Sequence, residues 1–149
     1  MKTLFTLIAL LLFAASANAE LTIISTNHRD ADSFKRFSEF FTGKHSDGRY
    51  SVFRSDETSR DGFYVSLLAK DKSILPKVSE VKVQYVKSGS QDIHSFTLPV
   101  IELNKKRILV GFTGGEWESG DSHPVAWKIE LLDSSSKPID SAQSFLWSE

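Results

Sequence analysis

The chain has 149 residues, with 18 Lys and Arg against 19 Asp and Glu and no cysteine. Near-balanced charge without a basic run removes the electrostatic basis for binding nucleic acid or anionic lipid. The lack of cysteine excludes disulfides, thiol catalysis and Cys-type zinc sites, so any stable core is built from apolar packing alone.

The chain opens with Lys2 and an uncharged apolar run from Leu4 to Ala15, followed by Ala17-Asn18-Ala19. This is the order of a secretory signal, with cleavage expected between Ala19 and Glu20. The apolar run is shorter than the roughly 20 residues that span a bilayer, so no membrane insertion is expected after cleavage. Residues 1–19 therefore read as a signal peptide and 20–149 as a single domain, exported to a periplasm or to the extracellular space.

Leu21–Thr26 is the first short strand candidate. In Asp30–Phe41, Phe34, Phe37 and Phe41 recur at i, i+3 and i+7. Asp30 or Asp32 can cap the start and Gly43 can stop it, which predicts one short amphipathic helix; a partly alternating edge strand is the competing reading. Tyr50–Arg54 is again a short strand. Gly62–Lys70 is apolar on both faces, as a central strand would be. Val81, Val83 and Tyr85 alternate with Lys82 and Gln84, giving a strand with one wet face. After the Ser88-Gly89-Ser90 turn come strands at Ile93–Leu98 and, beyond Asn104-Lys105, around Ile108, Val110 and Phe112. Between His123 and Asp133 the predicted inner face is Val125, Trp127, Ile129 and Leu131. A turn is expected from Asp133 through Pro138, then a last strand at Ser144–Ser148. Alternation also predicts core positions for Trp127 and Trp147.

Many short strands divided by turn chemistry predict an all-β, mainly antiparallel sandwich or barrel, a sandwich of about seven or eight strands with one short N-terminal helix being preferred although pattern does not fix strand order. From Tyr50 to Ser148, strand number, spacing and the buried-type Trp127 resemble immunoglobulin-like and fibronectin type III-like domains, without the Cys…Trp…Cys signature. The stretches RSDETSRDGFY and HPVAWKIELLD…QSFLW are similar to those of small exported bacterial proteins of no characterised activity. The resemblance implies an architecture and no reaction.

Motifs for phosphate cradles, nucleophile elbows and zinc proteases are absent from the sequence. The most informative stretch is Gly114–Pro124, which gathers Glu116, Glu118, Asp121 and His123 around Trp117. Such a loop is either a solvated hairpin connection or a binding surface, with Trp117 stacking on a sugar or anchoring a protein. A calcium ion is the alternative occupant, although three carboxylates fall short of the six to eight oxygens calcium takes. In Arg54–Gly62, Arg54 and Arg60 can clamp an anion or form local ion pairs. His28, His45, His94 and His123 are scattered and define no catalytic motif. The expected function is a non-catalytic binding or accessory module, contacting a protein or glycan through loops at one sandwich end, with no cofactor. Two alternatives are a hydrolase of envelope or extracellular polymer and an assembly protein joining through sheet edges.

Overall fold

The computed structural model describes residues 21–29, 50–117 and 123–148. Among them are eight strands: β1 (Thr22–Arg29), β2 (Tyr50–Arg54), β3 (Gly62–Leu68), β4 (Glu80–Lys87), β5 (Ile93–Pro99), β6 (Arg107–Thr113), β7 (Pro124–Leu132) and β8 (Pro138–Gln143). They form two four-stranded sheets, in the orders β1-β3-β6-β2 and β5-β4-β7-β8. Every ladder is antiparallel except β2 beside β6. The protein is thus an all-β sandwich. The predicted helix at Asp30–Phe41 and its phenylalanines lie outside the described residues. No helix among the described residues is long and apolar enough to cross a membrane.

Alternation builds the core as the sequence dictates. Val81, Val83 and Tyr85 of β4 meet Trp127, Ile129 and Leu131 of β7 across the ladder, and all six are buried. They pack on Phe63, Val65 and Leu67 of β3 and on Ile108, Val110 and Phe112 of β6. Each large aliphatic side chain withdrawn from water here contributes about 1.5–3 kcal/mol before entropy is counted. The outer faces of β3 and β6 are buried too, at Tyr64, Ser66 and Leu109. Tyr64 lies so closely over β6 that a Cβ at Gly111 would fall 2.4 Å from its ring, which is why glycine stands there.

Four expectations need correction. Val125, placed on the inner face by alternation, is 45% exposed. A register shift between Val86 and Lys87 skips it in the β4–β7 ladder, and this bulge reverses its side. The predicted strand at Ser144–Ser148 is instead a 3-10 turn, Phe145–Ser148. Ser144 ends the sheet: its Oγ accepts from the Trp127 amide at 2.9 Å while its own amide donates to Trp127 O. Trp147 consequently sits half-buried outside the main core rather than within it. The last strand is β8, and it starts at Pro138, inside the segment whose composition predicts a turn. Asp133 closes that turn early, accepting from the amides of Ser135 at 2.9 Å and Lys137 at 3.0 Å. Proline then opens an edge strand, where its missing N–H is tolerated.

Candidate functional site

The ladders bring particular strand ends together. Arg29 lies opposite Gly62, Gly62 opposite Thr113, and Arg54 opposite Gly111. In the other sheet Val86 faces Ile93 and Lys87 faces Pro124. The β2–β3, β4–β5 and β6–β7 connections therefore meet at one end of the sandwich. The β2–β3 connection arches over the end of β6 and is pinned there. Ser55 Oγ donates to Thr113 O at 2.8 Å, and Thr113 Oγ1 accepts from the Asp56 amide at 2.8 Å. Asp56 itself caps Thr58, accepting from its hydroxyl and amide, and these bonds hold its carboxyl below the usual range.

A cleft of about 290 Å³ opens at this end, walled by Tyr85, His94, Glu116, Trp117 and His123. Lys87, Ser88, Ser90 and Asp92 of the β4–β5 turn form its rim. Gly89, at φ 78°, lets that turn close, and the Ser90 amide donates to Lys87 O. Ser90 Oγ accepts from the Asp92 amide at 3.1 Å, leaving its hydroxyl hydrogen free to donate.

The floor is aromatic. Tyr85 stands edge-on to Phe112 with centroids 5.2 Å apart, and Phe96 stands edge-on to Phe112 at 5.6 Å. His94, directly opposite Tyr85 in the ladder, stacks on it at 5.4 Å. His123 leans on Phe63 at 5.1 Å. Tyr85 is buried, and its hydroxyl donates a hydrogen bond to Glu116.

Gly114 directs the loop that carries Glu116 and Trp117. It begins a one-turn 3-10 segment, Gly114–Glu116, at φ 59°, and a Cβ there would lie 2.4 Å from the Asp56 carboxylate. Trp117 closes the turn, its amide donating to Gly114 O at 3.2 Å. Its indole is half-buried, packs against the core and stacks almost parallel on His28 at 5.1 Å. His28 Nε2 lies 2.9 Å from Asp61 Oδ1, so the end of β1 and the β2–β3 connection together brace Trp117. The indole N–H is buried and has no hydrogen-bond partner among the described residues.

Of the residues singled out in the sequence, Glu116, Trp117 and His123 converge on the cleft. Glu118 and Asp121 lie outside the described residues. Arg54 does not reach the cleft: it is buried in the β2–β6 sheet, where its Nε donates to Tyr64 Oη at 2.7 Å and its guanidinium sits over the same ring. Tyr64 Oη donates in turn to Arg60 O at 2.6 Å, so both arginines of that connection flank Tyr64. Tyr85 and the β4–β5 rim carry no site signal of their own in the sequence, and His94 stands there only as one of four scattered histidines. The available signal was the hairpin register, since pairing the two strands across Ser88–Asp92 sets Tyr85 against His94.

Among the described residues no cluster of three or more His, Asp or Glu has metal-holding geometry. His94 and His123 hydrogen-bond no carboxylate among the described residues; the histidine–carboxylate pair is His28–Asp61, behind Trp117.

Burial pushes the Glu116 carboxyl above its usual value. A carboxyl raised on folding favours the folded state below its unfolded value, and that advantage is lost as pH rises through the raised one. Glu116→Gln keeps an acceptor for Tyr85 but cannot ionise. The variant is expected to melt above the native chain at neutral pH, with the gap closing as pH falls into the carboxylate range. Melting curves across that range check it; a gap independent of pH refutes it.

Compared with known protein families, curated proteins and solved structures, the chain matches none.

Proposed function

We propose that the protein is an exported, non-catalytic binding module that holds a saccharide in the cleft at this end of the sandwich. The Lys2 and Leu4–Ala15 leader supports export. The observation that carries the ligand class is the wall of the cleft. Trp117 and His94 supply ring surface over the buried Tyr85, while Glu116, Asp92, Ser88 and Ser90 supply acceptors and donors at its edge. A sugar ring has the same division, with apolar C–H faces and a hydroxyl girdle. The concave shape and small volume favour such a ligand over a protein surface, which wants a broad, flatter contact.

The test is calorimetric titration with a panel of neutral saccharides. Trp117→Ala should weaken binding by roughly tenfold or more, about 1.4 kcal/mol. Because Trp117 is half-buried against the core, the same change should cost about 2 kcal/mol of stability. Trp117→Phe keeps much of that packing and separates the two effects. Unchanged affinity in both variants contradicts the proposal.

A hydrolase is the second reading, favoured by the burial that keeps Glu116 towards its protonated, acid-competent form. Release of reducing ends from the bound saccharide, lost in Glu116→Gln, would select it.

A further inference from the structure

The outer face of the β1-β3-β6-β2 sheet is buried at its centre, although no described helix or strand lies over it. Ser66 of β3 and Leu109 of β6 stand opposite one another there, and each is 1% exposed. Tyr64, next on the same face towards the cleft end, is wholly buried, and Tyr50 and Val52 of β2 are half-buried beside them. None of these residues belongs to the core between the sheets. The second sheet occupies the inner face. Of the 3-10 segments, Lys72–Lys77 puts Leu75 into the inner core, Gly114–Glu116 stands at the cleft, and Phe145–Ser148 packs beside β7. The β2–β3 connection meets the hydroxyl end of Tyr64, at the Arg60 carbonyl. A sheet buried on both faces has a layer against each.

We infer that this face is the docking surface for the chain's own residues 30–49, which cross it and seat their phenylalanines on Val52, Ser66 and Leu109. The path of the chain carries the inference. β1 and β2 are the two edges of the sheet, and both run parallel to β6. β1 ends at Arg29, level with Gly62 and Thr113, whereas β2 starts at Tyr50, level with Arg107 at the other end of β6. The intervening residues return along the length of the sheet and pass both β3 and β6. A crossover between parallel strands takes a dozen or more residues and packs back onto the sheet. With the inner face filled by the second sheet, the outer face is the one left to it. Three strand spacings and the length of β6 separate Arg29 from Tyr50 by about 25 Å. A helix of the length expected at Asp30–Phe41 covers about 18 Å of that distance, and residues 42–49 cover the rest. The segment also has the apolar side chains such a layer needs, in Phe34, Phe37, Phe40 and Phe41.

Photo-cross-linking in the purified protein tests this. With p-benzoylphenylalanine in place of Phe34, Phe37 or Phe41 in turn, at least one position should link within the chain to Val52, Leu109 or residues 64–66. Trypsin cleavage after Lys35 and Arg36 gives a second reading, because a docked segment is cut only when it lifts off. Val52→Asp and Leu109→Ala, both outside the core between the sheets, should speed that cleavage roughly tenfold, while cleavage after Lys82 of β4 and Lys128 of β7 stays slow. Ile101→Asp, at a fully exposed position elsewhere, should change neither rate. The inference is overturned if none of the three positions links to the outer face, or if their links lead to a second copy. Cleavage after Lys35 and Arg36 that is as fast in the native chain as in both face variants overturns it as well. Saccharide binding is not part of either reading, so failure here leaves the proposed function standing.

Discussion

Phe112→Ala is expected to lower stability by about 3–5 kcal/mol, the range for deleting a buried aromatic side chain. Phe112 is the point where the two sheets share one aromatic cluster. From β6 it meets Tyr85 and Phe96 of the opposite sheet edge-on, and Phe63 of its own sheet at 5.8 Å. Each edge-to-face pair adds about 0.5–1.5 kcal/mol to the area term, so truncation removes several contributions at once. The consequence extends beyond stability, because Tyr85 rests on Phe112 and its hydroxyl holds Glu116 at the cleft. A void beneath Tyr85 should let the ring settle, loosening the Glu116 contact and weakening ligand binding in molecules that are still folded. Phe112→Leu, which keeps most of the volume, should cost less than about 1.5–2 kcal/mol. Urea unfolding distinguishes the two, and a loss under about 1 kcal/mol for the alanine variant would show that the cluster is not the hinge of the core.

Gly114→Val is expected to cost about 2–4 kcal/mol, combining a left-handed backbone that a branched side chain resists with overpacking against Asp56. Two responses are open to the chain and both disturb the site. If the 3-10 turn unwinds, Glu116 and Trp117 leave the cleft wall. If Asp56 yields instead, its cap on Thr58 and its link to Thr113 are lost, freeing the β2–β3 connection that carries Asp61 and braces Trp117 through His28. Either way saccharide affinity should fall by more than the Trp117→Phe change produces. A denaturant curve paired with a titration checks both parts; native affinity in a destabilised Gly114→Val protein would separate the loop from the site.

The fold was legible wherever large apolar residues occupied every second position. β4, β6 and β7 announce themselves by Val81-Val83-Tyr85, Ile108-Val110-Phe112 and Trp127-Ile129-Leu131, because burial on one face demands that period. β8 was illegible for the opposite reason. Its buried positions are filled by Asp140 and Ala142, which carry no hydrophobic signal, whereas the apolar Phe145-Leu146-Trp147 that follow it form a turn. Val125 misled because a bulge is invisible to a period count.

The site divides along the same line. Glu116, Trp117 and His123 stood out because they crowd one glycine-rich loop. Tyr85 has the pattern of an ordinary strand residue and His94 that of a scattered histidine, and only the register of a hairpin brings the two together at the cleft. The arginines of Arg54–Gly62 had the composition of an anion clamp. Their role is fixed instead by Tyr64, which engages the Arg54 side chain and the Arg60 carbonyl.

The central claim is that one end of this sandwich is a saccharide site, and side-chain NMR during saccharide titration tests it most directly. The account predicts that at least one sugar of the panel shifts the Trp117 indole N–H together with the ring signals of His94 and His123, while the turn at Asp133–Lys137, at the opposite end, stays still. Shifts confined to that opposite end, or no shift with any sugar at millimolar concentration, would contradict it.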